Sequence, residues 1–313
     1  MFRPFVQRCI WPVSLLLGLC VLTFFLSYVA PGDPARIILG SNASPDSVAA
    51  LRIEMGFDRP LIAQFASFMG EILTGRWGNS WISRQPVLRE IGDHLPPTLW
   101  LGFFASLYSI GIALLLNAVV FVFPRIGKPL IATLRLGIAL PGFVVAVAAA
   151  LATIRFQAWT GWMADARSGV SFLLPALAVA LYPACVMTTL LRDRFSGVLA
   201  SPFYRAARAG GYSLRELFLR VLLPNSWATL FTAWVNQISL LVFSTIVVEW
   251  VFSFRGIGTL LIRSIQGKDL PVLSGIILLN GAFFLIVRTL SREGRGSPGA
   301  APETSTQPLP AHA

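Results

Sequence analysis

Residues 98–123 read TLWLGFFASLYSIGIALLLNAVVFVF, a run without a single charge. A helix needs about 20 apolar residues to cross the roughly 30 Å hydrocarbon layer of a bilayer, and this run meets that length. Apolar runs with at most one charge each lie at 10–30, 129–154, 171–191, 227–252 and 270–287. Their continuity selects helices over a membrane barrel, whose strands alternate in segments of about ten residues. The chain therefore reads as an all-α membrane protein with six transmembrane helices. Composition agrees: 55% of the 313 residues are hydrophobic, 12% are charged and mean hydropathy is +0.71. Soluble domains carry about a quarter charged residues.

Arg3 and Arg8 precede the first run, as in a secretory signal. The run is too long for a signal core, and Tyr28 stands where a small residue would precede a cleavage site, so a retained anchor is expected. With the N-terminus inside, the cytoplasmic pieces hold 13 Lys and Arg, and the short outer loops 5 once the long 31–97 segment is set aside. That bias places both termini in the cytoplasm. The expected organisation is an N-terminus and first helix over 1–30, an extracytoplasmic α-helical insertion over 31–97, and a core of helices two to six over 98–290. A Pro- and Ser-rich tail over 291–313 should be disordered. Within the insertion, Pro45 to Gly56 reads as a helix capped by Ser44, with Val48, Leu51 and Met55 on one face, and a second helix is expected over Leu61–Leu73. The sixth apolar run is short, cut off by Arg288 and Arg292.

The net charge of +11 belongs to loops facing anionic lipid rather than to a basic domain with interleaved aromatics, so nucleic acid is excluded as a partner. Cys9, Cys20 and Cys185 all fall in or beside apolar stretches, and only His94 and His312 supply imidazoles, so neither a disulfide framework nor a metal site is indicated. The chain has no glycine-rich loop ending in Gly-Lys-Ser/Thr.

The segment 191–226, LRDRFSGVLASPFYRAARAGGYSLRELFLRVLLPNS, carries the densest information. Pro202 to Ala209 forms a small helix stopped by Gly210-Gly211, since a glycine permits the left-handed turn that ends helices. Ser213 and Glu216 have the spacing of a capping box. Leu214, Leu217, Phe218, Val221 and Leu222 line one face of the helix that follows, opposite Arg215, Glu216 and Arg220. Two short surface helices meeting at an angle are expected. They would either lie unpartnered on the membrane or dock into a groove on a cytoplasmic protein.

Here the chain resembles a family. Permeases of ABC importers carry a loop written Glu-Ala-Ala, three residues, Gly, nine residues, Ile, any residue, Leu-Pro. Arg205-Ala206-Ala207, Gly211, Val221 and Leu223-Pro224 fall at those intervals. Tyr204 to Gly211, with Arg208, Ala209 and Gly210 between, is similar to the version found in the dipeptide/oligopeptide branch, although Arg205 replaces the family's Glu and Gly210 its Lys. Other matches to that branch are Pro31-Gly32-Asp33-Pro34, Met55 to Leu61 with Gln64-Phe65, Gly75 to Ser80 with Pro86-Val87, Leu95 to Leu99, Glu249 to Gly258, and Lys268 to Val272. They span about residues 30–275. Members of the branch usually have a longer last helix.

The resemblance implies a type I ABC importer permease fold and a translocation pathway for peptides or similar small solutes in the bacterial inner membrane. It implies no catalysis by this chain, with ATP and Mg held on separate ATPase subunits docked at the 204–211 loop. Further partners would be a second homologous permease, an extracytoplasmic solute-binding protein and membrane lipid. Polar residues inside the spans, Asn117, Asn236, Gln237 and Asn280, are candidate pathway contacts or helix-to-helix hydrogen bonds. Glu249 matches a family position and either pairs with Arg255 or Arg263 at a gate or caps a turn. A stand-alone secondary transporter would show inverted repeats and charged midplane residues; a membrane scaffold without transport is the third class.

Overall fold

The computed structural model describes residues 13–25, 33–40, 42–140, 142–160 and 172–293. Every regular element among them is helical. In chain order they are α1 (Val13–Phe25), α2 (Pro34–Leu39), α3 (Pro45–Glu54), α4 (Leu61–Leu73), α5 (Val87–Val122), α6 (Pro124–Ala139), α7 (Gly142–Thr160) and α8 (Leu173–Ala200). Then come α9 (Pro202–Ala209), α10 (Leu214–Glu216), α11 (Leu223–Val251), α12 (Ile257–Gln266) and α13 (Leu270–Glu293). Val87–Val122, Leu173–Ala200 and Leu270–Thr289 are long and apolar enough to cross a membrane, and α11 has the length.

Helix α8 is the hub, packed against α5, α6, α7 and α11. Small residues make the close approach possible: Ala105, Ala176 and Ala180 are fully buried where α5 meets α8, beside Leu101, Val179 and Val248, and small side chains let membrane helices pack backbone to backbone. A second cluster, at the α9 end, gathers Met187, Leu191 and Phe195 of α8 with Leu217, Leu222 and Leu230. A third, at the α12 end, joins Val87 and Ile91 of α5 to Ile257 and Leu260 of α12 and to Val272 and Ile276 of α13.

The insertion helices follow the sequence reading closely. Ser44 caps α3 by accepting from the Ser47 N–H, Pro45 occupies its first turn and Val48 is its buried residue. Helix α4 spans Leu61–Leu73 as expected.

Several spans differ from the apolar runs. The second begins at Val87, well before the charge-free stretch, because Val87 and Ile91 find apolar partners on α12 and α13. The third, expected over 129–154, is two helices. Leu140 is extended (φ −80°, ψ 142°), the conformation imposed on a residue before proline, and Pro141 follows it in sequence. The sixth is not short: α13 continues past Arg288 to Glu293. Arginine at a helix C-terminus complements the helix dipole, and the Arg288 guanidinium lies 6.0 Å from the Phe284 ring centre.

The amphipathic stretch after the capping box is also not a free short helix. Leu217–Leu222 forms a π-helical segment that runs straight into α11. Pro224 has no N–H for the Arg220 carbonyl, and the register opens there, with the Leu223 N–H reaching back to Phe218 O.

Candidate functional site

Two clusters of sequence-singled residues are brought to opposite ends of the bundle. At one end, Ser201 caps α9 by accepting from the Tyr204 N–H. Tyr204 is buried in the cluster formed with Phe195 and Leu217, and Ala207 packs partly against it. That side anchors the helix. The other side is open: Phe203, Arg205, Ala206, Arg208, Ala209 and Gly210 are exposed. Gly210 accepts the helix end at φ −73°, and Gly211 takes φ 85°, which turns the chain out of the helix as the glycine pair predicts.

The capping box follows. The Ser213 hydroxyl accepts from the Glu216 N–H (3.3 Å), and the Glu216 carboxylate accepts from the Ser213 N–H (3.0 Å) and hydroxyl (2.8 Å). The Ser213 backbone N–H, then its hydroxyl, and Arg220 hold the Glu216 carboxyl below the usual carboxylate range. Leu223 is half-buried and Pro224 exposed, at the start of α11. The Arg194 guanidinium on α8 donates to Asn225 O at 3.2 Å, tying the loop's exit to its entry.

At the other end Glu249 is fully buried. One carboxylate oxygen accepts from the Thr98 hydroxyl of α5 at 2.6 Å. The other accepts from the backbone N–H groups of Gly258 (2.7 Å) and Thr259 (3.3 Å), in the first turn of α12. Thr98 Oγ1 in turn accepts from the Ile257 N–H at 2.8 Å. The carboxylate therefore caps α12, where orphan N–H groups and the helix dipole favour negative charge. Neither Arg255 nor Arg263 forms an ion pair with a described residue, so the turn-capping alternative is the one this geometry realises. A Cβ on Gly256 would collide with the Glu249 carboxyl, and one on Gly258 with Ile246. Both glycines are required by space.

A second remote pair lies nearby. Asp269, buried ahead of α13, accepts from the Ser80 hydroxyl and, at 3.1 Å, from the Trp81 N–H. Ser80 Oγ accepts in turn from the N–H groups of Ile82 and Ser83. Thr98, Gly256, Gly258, Ser80 and Asp269 were not singled out individually in the sequence. The signal was present, since each lies inside a stretch that matches the peptide branch.

The other candidates are scattered. Asn117 is fully buried, and its amide donates to Ala113 O (2.9 Å) and, across to α8, Thr188 O (3.1 Å). Gln237 is buried on α11, whereas Asn236 beside it is exposed. Asn280 is half-buried and donates to Ile276 O. Asp33 caps α2 above Pro34 and receives two bonds from Arg52, at 2.9 and 3.3 Å. Pro31 and Gly32 lie outside the described residues, as does the tail beyond Glu293.

Residues 1–102 match the family model described as the N-terminal part of the binding-protein-dependent transport system membrane component, and residues 109–292 match that of the inner membrane component itself. The chain belongs to this family. It is a permease component of an ABC transport system, with several membrane-spanning helices of an inner-membrane protein. Among the relatives of this permease is the glutathione transport system permease protein GsiC of Salmonella choleraesuis, 34% identical over 92% of this chain and 94% of that one. The protein of that name from Pectobacterium atrosepticum is 31% identical over 93% and 95%. A Brucella abortus protein named as a peptide transport system permease is 29% identical over 91% and 94%. A solved amino acid ABC transporter with histidines superposes on 66% of the permease and 92% of its own chain, with a TM-score of 0.50 at 17% identity, which supports the type I permease fold.

Proposed function

We propose that the permease couples to a separate cytoplasmic ATPase through residues 201–212 and passes short peptides or peptide-like solutes inward. The observation that carries this reading is α9 itself: a helix rigidly seated by Tyr204 whose opposite side, Phe203, Ala206 and Ala209 flanked by Arg205 and Arg208, is left open. Such a face suits a groove on a partner. On this reading the α9 end and both termini face the cytoplasm, ATP and Mg belong to the ATPase subunits, and residues 31–97 face a solute-binding protein outside. A second, homologous but unlike permease completes the pathway. Closure of the ATPases would draw two such helices together and shift the bundles between inward- and outward-facing populations. The printed names of the relatives, glutathione and peptide permeases, support the cargo class. Asn236 and Asn280, which retain exposure, are the pathway contacts in this scheme; Asn117 braces α5 against α8, Gln237 is buried on α11, and Glu249 holds α5 and α12 as one unit.

The test is co-purification of the permease with a co-expressed cytoplasmic ATPase of the ABC class. Ala206→Glu with Ala209→Glu alters the open face alone, whereas Ala207 also touches the core and would confuse docking with folding. Loss of ATPase from the complex and of uptake, at unchanged thermal stability, is expected. Retained ATPase and uptake would overturn the reading.

A further inference from the structure

Between α1, the insertion and the first turns of α13, as far as Leu278, lies a cavity of about 670 Å³, in the range of small-molecule sites, about 300–1,000 Å³. No residue of α9, and none of Thr98, Glu249, Gly258 and Thr259, lines it. Two pairs of aromatic rings wall it: Phe24 of α1 with Phe68 of α4, centroids 5.7 Å apart, and Phe57 with Trp81, 6.2 Å apart. Such walls hold an apolar side chain by area and ring geometry. Two charges of opposite sign also line it, Arg59 and Glu71. Both are exposed, and neither forms an ion pair with a described residue. Arg52, on the same lining, differs, since its guanidinium is engaged by Asp33. The turn that presents Arg59 is fixed: the Gln64 amide donates to the carbonyls of Phe57 (3.2 Å) and Arg59 (2.7 Å).

We propose that this cavity is a binding site, separate from the translocation pathway, for a zwitterion bearing an apolar or aromatic side chain: a hydrophobic amino acid or short peptide. The guanidinium of Arg59 takes the carboxylate in a forked pair, the Glu71 carboxylate takes the ammonium, and the rings enclose the side chain. The site does not depend on the docking reading of α9, and its test reads binding rather than uptake.

Full-length permease in lipid nanodiscs is titrated calorimetrically with the dipeptide Leu-Phe, with free leucine, and with N-acetyl-Leu-Phe-amide, which lacks both charges. Ser67, exposed and on the cavity lining, allows the cavity to be filled by Ser67→Trp without disturbing the core. Leu-Phe is expected to bind the wild type and to fail with Ser67→Trp. Arg59→Ala and Glu71→Ala should each weaken it about tenfold, the worth of one charge-assisted bond. The capped peptide should be insensitive to both. Tighter binding of Leu-Phe than of leucine assigns the site to peptides; the reverse assigns it to free amino acids. No binding to the wild type, equal binding to Ser67→Trp, or a bound phospholipid displaced by Ser67→Trp with no dipeptide affinity would overturn the proposal.

Discussion

At the α9 end, the side-chain bonds that cap the loop's helices close within three residues, Ser201 to Tyr204 and Ser213 to Glu216, and the longer tie from Arg194 to Asn225 O spans 31. At the α12 end, the bonds that hold the corner join residues far apart in sequence: Thr98 and Glu249, separated by 151, and Ser80 and Asp269, separated by 189. The Ser213–Glu216 box of the first end is exposed, whereas the Glu249 and Asp269 carboxylates of the second are buried. Local caps can form whenever the loop is helical, whatever the rest of the bundle does. Buried remote bonds weld α5, α11 and α12 into one body and cost much more to break, because each lost partner leaves another group unsatisfied.

The sharpest way to break this contrast is at Glu249. Glu249→Ala strands the Gly258 and Thr259 N–H groups and the Thr98 hydroxyl. It should destabilise the permease by about 3 kcal/mol, seen as the largest fall in melting temperature of the variants proposed. Gly256→Ala alone should also be damaging, since its Cβ meets the Glu249 carboxyl. Combined with Glu249→Ala, the clash disappears, so the double variant should be no worse than Glu249→Ala. Additive losses, measured by thermal unfolding in detergent, would show that the two residues do not act through each other.

The Ser80–Asp269 pair should rank next. Asp269→Ala removes the acceptor of Ser80 and of the Trp81 N–H, a loss of about 2 kcal/mol centred on the insertion. Hydrogen exchange over residues 76–86 should accelerate while exchange in α8 stays unchanged. Uniform acceleration would mean that the pair supports the whole bundle rather than one corner.

The same contrast explains what could be read from the sequence. Pro202–Ala209, the Gly210-Gly211 stop and the Ser213–Glu216 box were legible to the residue because each rests on spacing within one turn or two. The α4 boundaries matched as well, with Pro60 standing just before its first residue. The membrane-spanning class followed from apolar runs, but their ends did not, because ends are set by partners elsewhere. Val87 is helical through contacts with α12 and α13, and α13 persists beyond Arg288 because a terminal arginine can lie along the helix and still reach water. The break at Leu140 falls at a Leu-Pro pair inside a run whose hydropathy is continuous, so hydropathy does not reveal it. The π-helical passage before Pro224 was hidden by an amphipathic pattern that an ordinary helix would equally satisfy. Glu249 was recognised as a candidate, yet its three donors could only be found in space.

The smallest effect tests the exposed end. Glu216 keeps part of its side chain in solvent, and its carboxyl is held below the usual range, chiefly by the Ser213 N–H. A depressed folded-state pKa means that its contribution is complete above the ordinary carboxylate value and disappears as pH falls through the lowered one. Protection of the Ser213–Leu217 amides against exchange, read after correction for intrinsic rates, should therefore be constant from pH 7 down to about pH 5 and fall in more acidic buffer. Glu216→Gln keeps a hydrogen-bonding side chain but carries no titrating charge, so it should flatten that dependence while leaving the melting temperature unchanged. If Glu216→Gln instead lowered the melting temperature as much as Asp269→Ala, the capping box would be part of the welded body, and the difference between the two ends would not be one of local against remote bonding.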